Sequence, residues 1–191
     1  MIYIISGTNR KKSRTFEISK IVQNEFQKNG VETQIIDLSA LPFEKLHALD
    51  YGKDLPDPFA KTIQNLNQAD GIYIVTPEYN GSIPGALKYF IDHFSYPITF
   101  EHRPVALTGL GFRFGGLRPV EHLQQVFNYR NAYIFPQRIF LSNITDVLKE
   151  GALQDENVKT LLKLQVSGFV KFIKALKSEK LDANSMHGLS T

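Results

Sequence analysis

The stretch Met1-Ile2-Tyr3-Ile4-Ile5-Ser6-Gly7-Thr8-Asn9-Arg10-Lys11-Lys12-Ser13-Arg14-Thr15-Phe16-Glu17-Ile18-Ser19-Lys20 decides how the whole chain is read. Ile2–Ile5 is a short apolar run of the kind buried on both faces of a parallel sheet. Gly7 then suggests an unusual backbone angle. The loop that follows carries the hydroxyls of Thr8, Ser13 and Thr15 and the cations Arg10, Lys11, Lys12 and Arg14. An amphipathic helix starts near Phe16. A helix N-terminus offers unpaired N–H groups and a partial positive charge, which together seat a phosphate. Hydroxyls and Arg10 add charge-assisted hydrogen bonds to a dianion. A solvated basic turn or a nucleic-acid patch is the alternative. The loop's place between a first strand and a first helix favours phosphate.

Outward from that stretch, strand and helix alternate. Helix one runs from about Phe16 to Asn29, with Phe16, Ile18, Ile21, Val22 and Phe26 as its apolar stripe and Gly30 as its stop. Val31–Asp37 is the second strand, Leu38–Pro58 an irregular connection broken by Pro42, Gly52, Pro56 and Pro58, and Phe59–Gln68 a short helix. Asp70–Thr76 is a third strand. After the loop Thr76–Ile83, Pro84 opens a helix to about Tyr96. Arg103–Leu110 is a strand, Gly109–Gly116 a glycine-rich loop and Leu117–Arg130 a helix. Ala132–Phe135 forms a fifth strand that resumes at Arg138–Leu141. Asp155–Lys180 is the last helix, with Val158, Leu162, Val166, Phe169, Ile173 and Leu176 on one face. The pattern predicts an α/β three-layer sandwich: a five-stranded parallel sheet in the order 2-1-3-4-5, with its ligand at the carboxyl ends of strands one and three. Residues 1–181 read as a single domain and 182–191 as a loose C-terminal tail.

Composition bounds the function. The chain has 191 residues, 42% of them hydrophobic and 21% charged, with a formal net charge of +3. That suits one soluble domain and does not call for nucleic acid as a partner. The absence of cysteine excludes disulfides, thiolate metal sites and cysteine nucleophiles, and fits a reducing cytoplasm. No apolar run approaches membrane-spanning length, and no leader precedes the first strand, so a cytoplasmic protein without membrane contact is expected. His47, His93, His102, His122 and His187 lack metal-ligand spacing, and no metal site is expected.

Two further loops carry chemistry. In Thr76-Pro77-Glu78-Tyr79-Asn80-Gly81-Ser82-Ile83-Pro84-Gly85, two prolines and two glycines fix a backbone able to read a flat heterocycle, with Tyr79 and Asn80 packed beside it. A rigid turn before a helix is the plainer reading. Beside a phosphate loop, the ligand reading wins. Thr108-Gly109-Leu110-Gly111-Phe112-Arg113-Phe114-Gly115-Gly116 is not a dinucleotide fingerprint, because its third glycine falls one residue late and no acid follows at the usual distance. Its glycines instead suit close approach to a ring bordered by Phe112 and Phe114.

Gly7-Thr8-x-Arg10-x-x-Ser13-x-Thr15, the block Pro77-Glu78-Tyr79-Asn80-x-Ser82-x-Pro84-Gly85-x-Leu87-Lys88 with Asp92, and Gly-Phe-x-x-Gly-Gly before a helix resemble the NADPH-dependent FMN reductases. These are flavodoxin-like enzymes that include quinone, azo-dye and chromate reductases. Thr8 stands where the family often has serine, and Arg14-Thr15 where an apolar residue and asparagine are common. The resemblance implies FMN as cofactor and NAD(P)H as electron donor, with a quinone, azo compound, metal oxyanion or free flavin as small-molecule acceptor. It places the phosphate on Thr8, Arg10, Ser13, Arg14 and Thr15, and the flavin ring on Pro77, Glu78, Tyr79 and Asn80. Thr108, Gly111, Phe112 and Gly115 would border another edge. No catalytic side chain is implied, since the cofactor carries the redox chemistry. A flavodoxin-type electron carrier and a non-catalytic flavin-binding protein are the alternatives. In the 84–96 helix, Leu87, Phe90, Ile91 and Phe94 face the core, while Tyr89, His93 and Tyr96 make a second aromatic stripe. That second face points to a homodimer through this helix, with a tetramer as the larger option.

Overall fold

Five strand positions lie side by side in the computed structural model, which describes residues 1–46 and 53–189. β1 (Ile2–Ser6) pairs in parallel with β2 (Thr33–Asp37) and β3 (Gly71–Pro77), and β3 pairs with β4 (Pro104–Leu110). The fifth position is shared by two short strands. β5 (Tyr133–Ile134) pairs with Pro104–Val105 and β6 (Ile139–Leu141) with Thr108–Leu110. Pro136 falls in the gap between them, where a residue without an N–H cannot continue the ladder. The order β2-β1-β3-β4-β5 is the doubly wound one expected from the alternation.

Strand parity divides the core in two. Tyr3, Ile5, Ile72, Ile74, Val105 and Leu107 pack against α2 (Phe59–Asn67), α3 (Gly85–Asp92) and α4 (Leu117–Tyr129). Ile2, Ile4, Tyr73, Val75, Ala106 and Leu110 face α1 (Arg14–Lys28) and α6 (Glu156–Ser178). Each fully buried Ile, Leu or Phe contributes about 1.5–3 kcal/mol, so both layers hold the sheet.

Several boundaries differ from expectation. α1 begins at Arg14, because the Ser13 hydroxyl accepts the N–H of Phe16 and caps the helix earlier than its apolar stripe suggests. The 38–58 connection holds two 3-10 turns, Leu38–Ala40 and Phe43–Lys45, while His47 and Gly52 lie outside the described residues. Between β6 and α6 lie α5 (Ile144–Val147) and a hairpin of β7 (Leu148–Lys149) and β8 (Ala152–Leu153), a region with no element in the sequence reading.

The tail is not loose as far as residue 189. Asp182 is buried and its carboxylate caps α7 (Ala183–Met186), Ala183 is buried, and Asn184 accepts from the Arg103 guanidinium. Residues 190–191 lie outside the described residues.

The second aromatic face also reads differently. α3 stops at Asp92. Tyr89 packs on Phe43 and donates its hydroxyl to the Leu46 carbonyl, while His93 is fully buried with Nδ1 on the Tyr89 carbonyl. The chain covers those two rings itself; of the three, Tyr96 alone stands out, at 69% exposed.

Candidate functional site

At the carboxyl end of the sheet a cavity of about 490 Å³ opens between the loops after β1, β3 and β4. Ligand sites of small molecules fall in the range of about 300–1,000 Å³. Its wall is built first from the α1 N-terminus. Ser13 is buried and uses its hydroxyl oxygen on the Phe16 N–H, which leaves the hydroxyl proton for a ligand. The N–H groups of Arg14 and Thr15, in the helix's first turn, have no acceptor among the described residues. Arg10, Lys12, Ser13, Arg14 and Thr15 all line the cavity. Arg10, Lys12 and Arg14 form no ion pair with a described carboxylate. The donor set is therefore that of a phosphate seat: open backbone N–H groups, hydroxyls and unpaired cations.

Gly7 acts by proximity rather than by an unusual angle. A Cβ there would lie 2.8 Å from both the Val75 carbonyl oxygen and a Leu87 methyl group, while the Gly7 N–H donates to that carbonyl at 2.8 Å. The left-handed residue of this loop is Lys12, at φ +50°.

The loop after β3 supplies Pro77, Glu78 and Tyr79. Asn80 and Gly81 have φ +51° and +74° and form the two-residue tip of a tight turn in which Tyr79 and Ser82 exchange backbone bonds. Asn80 is exposed at that tip and does not line the cavity. Tyr79 spans two loops. Its hydroxyl meets the Thr8 hydroxyl at 2.8 Å, and the Arg10 guanidinium lies 5.2 Å from its ring centre. Thr8 is fully buried by that contact and lies behind the cavity wall. It braces the loop, with its oxygen also accepting the Arg10 N–H.

The loop after β4 brings Leu110, Gly111 and Phe112 to the cavity. Gly109, Gly115 and Gly116 serve the loop's own fold instead of a ring's approach. A Cβ on Gly109 would lie 2.5 Å from the Gly116 carbonyl oxygen, and one on Gly115 2.8 Å from the Ser142 hydroxyl. Thr108 lies two residues before the cavity-lining Leu110 on the same α1 and α6 face of β4, and its hydroxyl is taken up by Tyr73 and Gln165. Burial pushes the Tyr73 hydroxyl above its ordinary pKa, so this network stays protonated and structural.

The structure thus brings together Arg10, Ser13, Arg14, Thr15, Pro77, Glu78, Tyr79, Gly111 and Phe112, and leaves Thr8, Asn80, Thr108 and Gly115 off the wall. Sequence reasoning missed Lys12, Glu17, Leu110, Ile144, Leu148 and Glu150. The hairpin Leu148–Leu153 overhangs the cavity, with Glu150 and Gly151 at φ +50° and +73° in its turn. The Glu150-Gly151 pair between Lys149 and Ala152 was its available signal.

A family model described as NADPH-dependent FMN reductase matches residues 1–146, which covers the three loops and stops just before the hairpin. The FMN-dependent NADPH-azoreductase of Staphylococcus saprophyticus is 27% identical over 188 residues, spanning 93% of this chain and 97% of the relative. That of Staphylococcus aureus is 27% identical over 180 residues, spanning 89% and 93%. Among solved structures, the flavoenzyme NAD(P)H:acceptor oxidoreductase FerB from Paracoccus denitrificans superposes with a TM-score of 0.73 at 21% identity, covering 91% of this chain and 97% of that one. With the family model spanning residues 1–146 of its 191, this chain belongs to the NADPH-dependent FMN reductase family.

Proposed function

We propose that the cavity holds FMN and that the enzyme uses NADPH, the electron donor named for its family, to reduce a small acceptor through it. The observation that carries this is the convergence, in one cavity, of the open α1 N-terminus with the Pro77–Tyr79 and Gly111–Phe112 backbones. Arg10, Ser13, Arg14, Thr15 and the N–H groups of the first turn would hold the phosphate. Pro77, Glu78, Tyr79, Gly111 and Phe112 would border the ring. When bound, FMN supplies the acceptance and delivery of hydride or electrons that no side chain here offers.

The chain's own contribution is positioning. Tyr79 locks the ring loop to the phosphate loop through Thr8. The Glu78 carboxylate is held by Arg118 at 2.9 Å, which fixes the start of the ring loop. Leu110, Ile144 and Leu148 give the cavity an apolar wall.

The names of the curated relatives favour an azo compound as acceptor, with quinones, metal oxyanions and free flavin as the other members of the class. A flavodoxin-type carrier is disfavoured by the chain's formal net charge of +3, since such carriers are typically acidic. The homodimer now rests on the exposed rings of Tyr96 and Tyr129, flanking Arg130, and no longer on Tyr89 and His93. Sedimentation velocity decides between monomer, dimer and tetramer.

The purified protein should be yellow and should oxidise NADPH when an azo dye or quinone is added. Arg10→Ala should weaken FMN binding about tenfold, the worth of a charge-assisted hydrogen bond, without changing the urea midpoint of the apoprotein. Unaltered flavin affinity in that variant overturns the phosphate seat.

A further inference from the structure

Beside the flavin cavity, and sharing Glu78 and Phe112 with it, is a second cavity of about 270 Å³ lined by Gly81, Arg113, Phe114 and Arg118. Two guanidiniums lie against one ring there, with Arg118 4.3 Å and Arg113 5.3 Å from the Phe114 ring centre. Phe112 and Phe114 are 65% and 40% exposed, although aromatic side chains in a loop usually find cover. Arg118 spends one N–H on Glu78, while Arg113 has no carboxylate partner among the described residues. The ledge therefore carries net positive charge next to apolar rings, and its Arg113, Phe114 and Arg118 lie outside the flavin cavity.

We propose that this ledge seats the adenosine 2′-phosphate end of the donor NADPH, and that Arg113 and Arg118 make the enzyme prefer NADPH to NADH; this rests on the function proposed above. The chemistry matches in two respects. A terminal phosphate is a dianion with three acceptor oxygens, which suits two guanidiniums better than the singly charged phosphates of a pyrophosphate do. An adenine ring needs a flat apolar partner, and the exposed Phe112 and Phe114 rings offer one. The shared wall at Glu78 and Phe112 lets one extended molecule reach from the ledge to the flavin ring.

The test uses FMN-loaded protein and calorimetric titration with 2′,5′-ADP and with 5′-AMP, a readout that needs no turnover. Wild type should bind 2′,5′-ADP at least about tenfold more tightly than 5′-AMP, the factor expected from one charge-assisted bond. Arg113→Gln and Arg118→Gln should each remove most of that difference and lower kcat/KM for NADPH by a similar factor, with a smaller fall for NADH. Arg113→Gln is the cleaner variant, because Arg118→Gln also frees Glu78. Equal affinity of wild type for the two nucleotides overturns the proposal. So does 2′,5′-ADP binding unchanged in Arg113→Gln, or a raised KM for a sulfonated azo acceptor with the NADPH constants intact. Failure of the wild-type protein to take up FMN in a separate titration would instead sink the parent reading.

Discussion

The two ends of the sheet are both rich in charge, yet they are built to opposite purposes. At the amino end, the Arg103 guanidinium is buried and donates to the carbonyls of Asn67, Ala69, Ile98 and Thr99 and to the Asn184 side chain. Burial pushes its pKa down to about 10, with Asp70 and Asp182 pulling it back up, so it stays charged at neutral pH. Asp70 is held by the N-terminal ammonium and by Lys177, both at 2.6 Å. At the carboxyl end, Arg10, Lys12 and Arg14 face a cavity without such partners. Charge becomes a ligand site where the chain leaves it unsatisfied, and becomes a rivet where the chain's own carbonyls consume it.

The largest break in that comparison should come from Arg103→Ala. It strips the bonds from the carbonyls at the C-terminal end of α2 and opens a cavity, so a loss of about 3–5 kcal/mol in urea unfolding is expected. Arg103→Lys should recover only part of it, since one ammonium cannot reach the same fork of carbonyls. FMN affinity of the folded fraction should hold, because the two ends share no group. A selective loss of flavin binding at unchanged stability would show that the ends are coupled after all.

The same contrast explains what could be read from residue order. The strands were legible because Ile2–Ile5 and the 71–75 segment are apolar on both parities. The clustering of Arg10, Ser13, Arg14 and Thr15 at one cavity wall was legible because they sit within a few residues of one helix start. Thr108 was misplaced because its hydroxyl is taken by Tyr73 and by Gln165 of α6, partners far away in the chain, while Leu110 of the same parity does reach the cavity. The docking of residues 182–189 was missed because its anchors, Asp182 and Asn184, are polar and carry no hydrophobic period. The hairpin at 148–153 was missed because Glu-Gly is a weaker turn signal than Asn-Gly or Asp-Gly. Glycine roles also hide in a sequence, which cannot tell a left-handed angle from a close approach.

That ambiguity can be sharpened at the carboxyl end. Gly109→Ala drives a methyl group into the Gly115 and Gly116 carbonyl oxygens, at 2.9 and 2.5 Å, and backbone cannot move aside cheaply. A cost of roughly 2–3 kcal/mol is expected, together with weaker FMN binding as Gly111 and Phe112 shift. Gly85→Ala is the control. It opens α3, meets nothing within 4 Å and should be neutral or stabilising by up to about 1 kcal/mol. Flavin titration and urea midpoints on the two variants separate a loop that must close on itself from a glycine that need not be there.

The smallest effect belongs to Asp70. Burial raises its pKa, but the hydrogen bonds and charges of Lys177 and the N-terminus outweigh that and leave it below the ordinary carboxylate value. A depressed folded pKa contributes stability above the unfolded value, near 4, that is lost as pH falls through the folded one. The group is partly solvated, so Asp70→Asn should cost only about 0.5–1 kcal/mol at neutral pH. The gap between wild type and variant should be smaller in acid than at neutral pH, closing as pH falls through the depressed folded value. Urea midpoints at the two pH values check this. A gap that persisted in acid would mean that the amino end is held there by the shape of its hydrogen bonds more than by charge, and would bring Asp70 into line with the neutral acceptors around Arg103.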